Sequence, residues 1–213
     1  MSCFPFFMEL EGRNALIAGG GTVALRKIEK LLPYGPRLTV AAPVIAEEIA
    51  ALPGLRLLRR PFQPQDLTGM AFAIAATADP AVNRRIAALC RERGVLVNVA
   101  DAPEACTFLF PALVKRGALT VGISSGGASP TAAVWLKERV EGLLPDGLED
   151  VLDFLQALRP GVKALLPEGP ARSEAFTALF RRCLEAGRPL TPAETEACLG
   201  LALPAEERKA VWK

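Results

Sequence analysis

Asn14-Ala15-Leu16-Ile17-Ala18-Gly19-Gly20-Gly21-Thr22-Val23-Ala24 is the stretch from which the rest of the chain can be read. The apolar run before Gly19 reads as a buried strand entering a tight turn. Beyond the glycines, Val23, Ile28, Leu31 and Leu32 fall at helical spacing until Pro33 and Gly35 stop them. A strand, a glycine turn and a helix in that order give three positions distinct tasks. Gly19 turns the chain, Gly21 lets backbone approach a diphosphate, and the small Ala24 lets the helix pack on the strand. The helix then offers unpaired N–H groups and the positive end of its dipole to an anion. This predicts a dinucleotide over residues 19–21. The competing reading is a glycine-rich turn of an α/β fold that binds nothing.

Outward from this stretch the same unit recurs. Arg37-Leu38-Thr39-Val40-Ala41 predicts a second strand, and residues 44–52 a helix with Ile45, Ile49 and Leu52 on one face. Leu55-Arg56-Leu57-Leu58 predicts a third strand and Ala71-Phe72-Ala73-Ile74-Ala75-Ala76 a fourth, followed by a helix through Cys90 that Gly94 ends. Val95-Leu96-Val97-Asn98-Val99 predicts a fifth. Strands alternating with helices of this length point to a Rossmann-like, doubly wound parallel sheet.

After Asp101 the pattern changes. Thr107-Phe108-Leu109-Phe110-Pro111-Ala112 and Leu119-Thr120-Val121-Gly122-Ile123 read as two strands separated by Lys115-Arg116-Gly117. Ser129 and Pro130 start a helix with an apolar stripe at Ala133, Leu136, Val140 and Leu143. The remainder reads as helical. Leu148, Leu152, Leu155 and Leu158 share one face; Phe176, Leu179, Phe180, Cys183 and Leu184 share another; and Thr191 to Glu194 forms a capping box. Residues 160–170 read as a linker. The expected organisation is a dinucleotide domain over residues 1–112, a small α+β segment over 113–145 and a helical domain over 146–213.

Composition narrows the chemistry. The 213 residues are 51% hydrophobic and 23% charged, with a net charge of +2, which argues against nucleic acid as a partner. The five cysteines are scattered and never spaced as CxxC, which argues against a disulfide framework and a structural zinc site, and no bound metal is expected. The short apolar N-terminus runs into Glu9 and Glu11 and does not read as a signal peptide. No apolar stretch approaches the roughly 18–20 residues that span a bilayer. A soluble, cytoplasmic protein without a membrane partner is expected. Histidine is absent, so any side-chain acid or base is a carboxylate, a lysine, a cysteine or the single tyrosine, Tyr34.

Several residues stand where ligands of such sheets bind, past the carboxyl ends of strands. Asp101 in Asn98-Val99-Ala100-Asp101-Ala102-Pro103 is either a proton acceptor facing the cofactor or a turn residue ahead of Pro103. Thr77 is either a cofactor contact or a loop residue, and Asp79 before Pro80 reads as a helix cap. The loop Ser124-Ser125-Gly126-Gly127 is either an anion nest or a flexible turn. Lys115, Arg116, Lys137 and Arg139 are either carboxylate binders or solvated surface cations. The acidic residue that normally holds a ribose hydroxyl about 20 positions after the glycines has no counterpart in Thr39-Val40-Ala41-Ala42-Pro43, and no basic residue replaces it, which favours NAD over NADP only mildly.

Five motifs in series (Gly19-Gly20-Gly21-Thr22-Val23-Ala24-Leu25-Arg26-Lys27, Ala73-Ile74-Ala75-Ala76-Thr77, Asn98-Val99-Ala100-Asp101-Ala102-Pro103, Phe108-Leu109-Phe110-Pro111-Ala112 and Ser124-Ser125-Gly126-Gly127-Ala128-Ser129-Pro130) resemble the precorrin-2 dehydrogenase/sirohydrochlorin ferrochelatase family, the N-terminal module of siroheme synthases, over residues 4–160. The resemblance implies NAD-dependent oxidation of precorrin-2 to sirohydrochlorin and, in many members, insertion of Fe2+ as a further substrate. It implies a homodimer formed through residues 113–145. It places the catalytic aspartate at Asp101 and cofactor contacts near Thr22, Val23, Pro43, Val44 and Thr77, alongside Gly19 and Gly21 of the glycine fingerprint. Ser125, which is phosphorylated in some relatives, is a candidate substrate contact, and so are Arg116 and Lys137, because a substrate with many carboxylates calls for a locally positive cleft. Two other readings remain: a Rossmann oxidoreductase of another small anion, and a non-enzymatic NAD-sensing module with the C-terminal helices as output.

Overall fold

The computed structural model describes residues 3–166 and 169–200. Met1 and Ser2 of the apolar N-terminus, Pro167 and Glu168 of the expected linker, and residues 201–213 of the expected helical domain lie outside these. The chain divides into two compact units, Pro5–Phe110 and the residues from Pro111 onward.

In the first unit, β1 (Asn14–Ala18), β2 (Arg37–Ala41), β3 (Arg56–Leu58), β4 (Phe72–Ala75) and β5 (Leu96–Val99) form one sheet in the order β3-β2-β1-β4-β5, all neighbours parallel. A parallel sheet covered on both faces needs strands apolar on both sides. β4 and all of β1 beyond Asn14 are accordingly buried without alternation. One face packs α1 (Thr22–Leu31) and α2 (Glu47–Ala50) through Ala24, Ile28, Leu31 and Ile49. The other packs α3 (Pro80–Glu92) through Ile86, Ala87 and Cys90. Fully buried side chains such as Ile28 and Ile49 each contribute about 1.5–3 kcal/mol relative to exposure. The Rossmann-like, doubly wound sheet read from the sequence is present.

Two local expectations change. The helix expected over 44–52 shrinks to the four residues of α2, because the Ala46 N–H donates to the Gly20 carbonyl at 2.9 Å and holds residues 43–46 out of helical geometry. The strand expected over 107–112 is instead a return segment along β5. The Thr107 N–H donates to the Val97 carbonyl at 2.8 Å, the Val97 N–H to Thr107 Oγ1 at 2.7 Å, and Asn98 Nδ2 to the Phe108 carbonyl at 3.0 Å. Phe108 then packs edge-on against Phe72, ring centroids 5.8 Å apart.

In the second unit, β6 (Ala112–Arg116) and β7 (Leu119–Ile123) pair antiparallel across a two-residue turn at Gly117 and Ala118, so Lys115 and Arg116 belong to a strand and not to the loop expected there. α4 (Pro130–Leu143) follows, capped by Ser129 Oγ accepting from the Ala132 N–H at 3.1 Å. Of its expected apolar stripe only Ala133 is buried, whereas Leu136 and Leu143 are 44% and 80% exposed.

The helical part contains α5 (Leu148–Leu165), α6 (Gly169–Ala186) and α7 (Pro192–Leu199). The expected linker is not a linker up to Leu165, because α5 runs through Pro160. A proline inside a helix costs about 3 kcal/mol. Leu158 and Val162, on either side of it, are almost completely buried against Leu179 and Cys183 of α6, and their burial offsets that cost. α7 begins with the expected capping box, Thr191 Oγ1 accepting from the Glu194 N–H and Glu194 from the Thr191 N–H.

Candidate active site

In the strand order β3-β2-β1-β4-β5, connections run one way from β1 and the other way from β4, so a crevice opens where the carboxyl ends of β1 and β4 diverge. Four loops leave that edge of the sheet. The loop after β1 holds residues 19–21, the loop after β2 Pro43 and Val44, the loop after β4 Thr77, and the loop after β5 Asp101. The first unit therefore brings together eight of the residues picked out from the sequence: Gly19, Gly21, Thr22, Val23, Pro43, Val44, Thr77 and Asp101.

The three glycines are not equivalent. Gly19 has φ +136, and a β-carbon on it would fall 2.2 Å from the Ala76 carbonyl oxygen. Only glycine fits that conformation and that contact. A β-carbon on Gly20 would fall 2.2 Å from the Val44 carbonyl oxygen, a restraint that the sequence motif did not reveal. Gly21 has no neighbour within 4 Å of such a carbon, and it opens α1 with no side-chain cap and no acidic residue in the first turn. The first turn of α1 is thus uncapped and exposed at Gly21, Thr22 and Val23, while Ala24 behind it is fully buried. Val44 is 81% exposed beside the end of β2, where no acidic side chain stands.

Thr77 is locked from below by a residue that sequence reasoning missed. Buried Asn83 of α3 accepts from the Thr77 N–H at 3.0 Å, lies 2.7 Å from the Thr77 hydroxyl, and donates to the Thr77 carbonyl at 3.1 Å. A polar residue on the sheet-facing side of an otherwise apolar helix face was the available signal. Asp79 caps α3 by accepting from the Ala81 N–H at 2.7 Å.

Asp101 has φ +60, and among the described residues no other non-glycine residue has positive φ. Aspartate tolerates this region better than most residues, and such backbone collects at functional sites. The turn itself is closed by Cys106, whose sulfur accepts from the Val99 N–H at 3.1 Å and lies 3.5 Å from the Ala102 carbonyl oxygen. The Asp101 side chain is exposed. Lys27 of α1, quoted in the glycine motif but given no role, lies half-buried with its ammonium 4.0 Å from the centroid of the Phe110 ring. Burial pushes it below the ordinary lysine range and Lys30 adds repulsion, whereas Cys106 and Asp101 pull in the opposite direction.

The other three candidates belong to the second unit. Ser125 Oγ accepts from the Ser129 N–H at 3.0 Å, and the Ala128 N–H donates to the Ser125 carbonyl at 3.1 Å, so the serine–glycine loop is a hydrogen-bonded turn ahead of α4. Arg116 lies 3.9 Å from Glu149, and Lys137 lies 3.2 Å from Glu141 one helical turn on. Among the described residues no helix is long and apolar enough to cross a membrane.

The parallel sheet, its switch-point crevice and the open glycine turn define a dinucleotide-binding Rossmann protein. A family model of NAD(P)-binding domains matches residues 6–112, and a model described as the sirohaem biosynthesis protein central domain matches residues 116–143. The chain belongs to that NAD(P)-binding family, and the segment that follows its nucleotide domain matches the sirohaem biosynthesis central model. It is 42% identical over 175 residues to a siroheme synthase of Chromobacterium violaceum, covering 81% of this chain and 37% of that protein. It is 39% identical over 167 residues to one of Thioalkalivibrio sulfidiphilus, covering 77% of this chain and 34% of that protein. The chain thus spans about a third of the length of these relatives. Among solved structures, one titled "SirC, precorrin-2 dehydrogenase" is 28% identical with a TM-score of 0.71, covering 93% of this chain and 98% of that one.

Proposed function

We propose that this chain is an NAD-dependent dehydrogenase that oxidises precorrin-2 to sirohydrochlorin. The observation that carries the reading is the pairing, at one sheet edge, of an open glycine turn after β1 with a carboxylate after β5. The residues fit a dinucleotide. The space at Gly21 and the uncapped amides of α1 suit a diphosphate, and exposed Pro43, Val44 and Val23 offer an apolar flank. Thr77, fixed by Asn83, stands where the nucleotide would cross from β1 to β4. The solved structure that the chain resembles, named a precorrin-2 dehydrogenase, suggests the substrate.

Bound NAD supplies the hydride acceptor. The protein's part is to hold substrate and cofactor in register and to receive the proton that leaves as the carbon–hydrogen bond gives up its hydride. With no histidine in the chain, Asp101 takes that role. Ser125, Arg116 and Lys137 are proposed substrate contacts, the last two exchanging their local carboxylate partners for those of the substrate. The exposed apolar side chains of α4, Val134, Trp135, Leu136 and Leu143, support a homodimer through the segment after the nucleotide domain. Five cysteines without CxxC spacing suit the cytoplasm.

The test is an anaerobic assay of the purified chain with NAD and precorrin-2, followed by the absorbance of sirohydrochlorin. Turnover that requires NAD supports the reading, and none overturns it. Adding ferrous ion to the same assay tests for metal insertion, in which the macrocycle's nitrogens are the ligands and the iron is a substrate.

A further inference from the structure

Lys27 is difficult to explain as packing alone. It sits one and a half turns into α1 with its ammonium over Phe110, beside a ladder in which Phe110 and Phe108 are 5.5 Å apart and Phe108 and Phe72 5.8 Å apart. A leucine or methionine would satisfy these aromatic surroundings without desolvating a charge. A cation–π contact returns only about 0.5–2 kcal/mol, and among the described residues no carboxylate lies within 4 Å of Lys27. Its charge is under-compensated, which burial and Lys30 both register in its lowered pKa. The carboxylate whose charge acts on it, Asp101, comes from the loop after β5, where the proposed base stands, and not from the loop after β2.

We propose that Lys27 is a recognition residue of this site, its half-buried ammonium above Phe110 receiving one carboxylate of the polycarboxylate tetrapyrrole substrate. The assignment rests on the dehydrogenase reading above. The dinucleotide is the less suitable anion, because its diphosphate has the amides of the first turn of α1, and Lys27 is five residues beyond Thr22, about 7.5 Å along the helix axis. A substrate carboxylate would supply the missing counter-charge and, in the same contact, bring the macrocycle to Asp101. A charge-assisted hydrogen bond of this kind contributes about tenfold or more to binding.

The test compares wild type with Lys27→Met, which keeps the stem on Phe110 and removes the charge, and with Lys27→Arg, which keeps the charge. Expected is a rise of about tenfold or more in KM for precorrin-2 in Lys27→Met, with kcat and the Kd for NAD within about threefold, and recovery of most of the loss in Lys27→Arg. A KM within about twofold of wild type overturns the proposal, as does an equal rise in the Kd for NAD. A second readout does not depend on the variants folding. Acetylation of Lys27 in the wild-type chain, read by mass spectrometry, is expected to be suppressed by sirohydrochlorin and not by NAD. Labelling unchanged by sirohydrochlorin overturns the proposal. Wild-type turnover separates the two failures: no oxidation of precorrin-2 removes the dehydrogenase reading and this inference together, whereas turnover with an insensitive Lys27 removes the inference alone.

Discussion

The Ala76 carbonyl oxygen lies 2.2 Å from the position a β-carbon on Gly19 would take, so the turn after β1 and the end of β4 meet backbone to backbone. That contact closes the floor of the crevice, whereas two residues later Gly21 faces nothing within 4 Å. The two glycines therefore differ in what a side chain would meet, backbone at Gly19 and open space at Gly21.

Gly19→Ala and Gly21→Ala should therefore separate stability from binding. Gly19→Ala, at φ +136 against backbone, is expected to destabilise the protein by about 2–4 kcal/mol. Gly21→Ala, at φ −101 in open space, should leave the Tm within a degree or two and raise the Kd for NAD about tenfold or more. Thermal unfolding and calorimetric titration of both variants check this; unchanged NAD affinity in Gly21→Ala would remove the diphosphate from that position.

Asp101→Asn keeps a side chain that tolerates φ +60, so the loop should survive. Dehydrogenation is expected to fall about 10²–10⁴-fold with the Kd for NAD unchanged. Asp101→Ala should behave alike in activity while losing more stability. Full turnover in Asp101→Asn would take the carboxylate out of the mechanism.

Asp66 is buried and accepts from both terminal nitrogens of Arg60, at 2.6 and 2.8 Å, and from the Gln63 N–H at 2.8 Å. These bonds hold its carboxyl below the ordinary range, Arg60 contributing most. Asp66→Ala strands a partly buried guanidinium and is expected to cost about 2–3 kcal/mol in urea unfolding. A loss below about 0.5 kcal/mol would show the pair to be solvated in practice.

Glu194 is held down to about 2 by hydrogen bonds from Arg188 and from the Thr191 backbone and hydroxyl. Its folded value lies below the ordinary 4.5, so its contribution is complete above pH 4.5 and is lost as pH falls from there toward 2. Amide protection at α7, taken relative to the intrinsic exchange rate at each pH, should fall across that window in wild type and show no such step in Glu194→Gln. Equal protection at pH 3 and pH 6 in wild type would contradict this.

Trp135 and Leu136 of α4 are 51% and 44% exposed. If this face pairs two copies, Leu136→Glu should shift the sedimentation coefficient of a dimer to that of a monomer while thermal unfolding of the single chain changes little. A monomeric wild-type protein would remove the dimer.

Much of this was legible in the chain. Alternating apolar runs and glycine stops determined the five parallel strands and the position of the glycine turn after β1, because a strand buried on both faces and a helix with one apolar stripe each leave a local signature. The caps at Ser129 and Thr191 were equally local. Tertiary structure decided what depends on partners distant in sequence. Gly20 is required by the Val44 carbonyl, α2 is shortened by a bond to that glycine, and α5 continues through Pro160 because Leu158 and Val162 find Leu179 and Cys183. Lys27 stands apart for the same reason: no property of its neighbours in sequence says that Phe110, 83 positions away, lies beneath it. Periodicity records which face of an element is buried, but only the fold determines what that face meets.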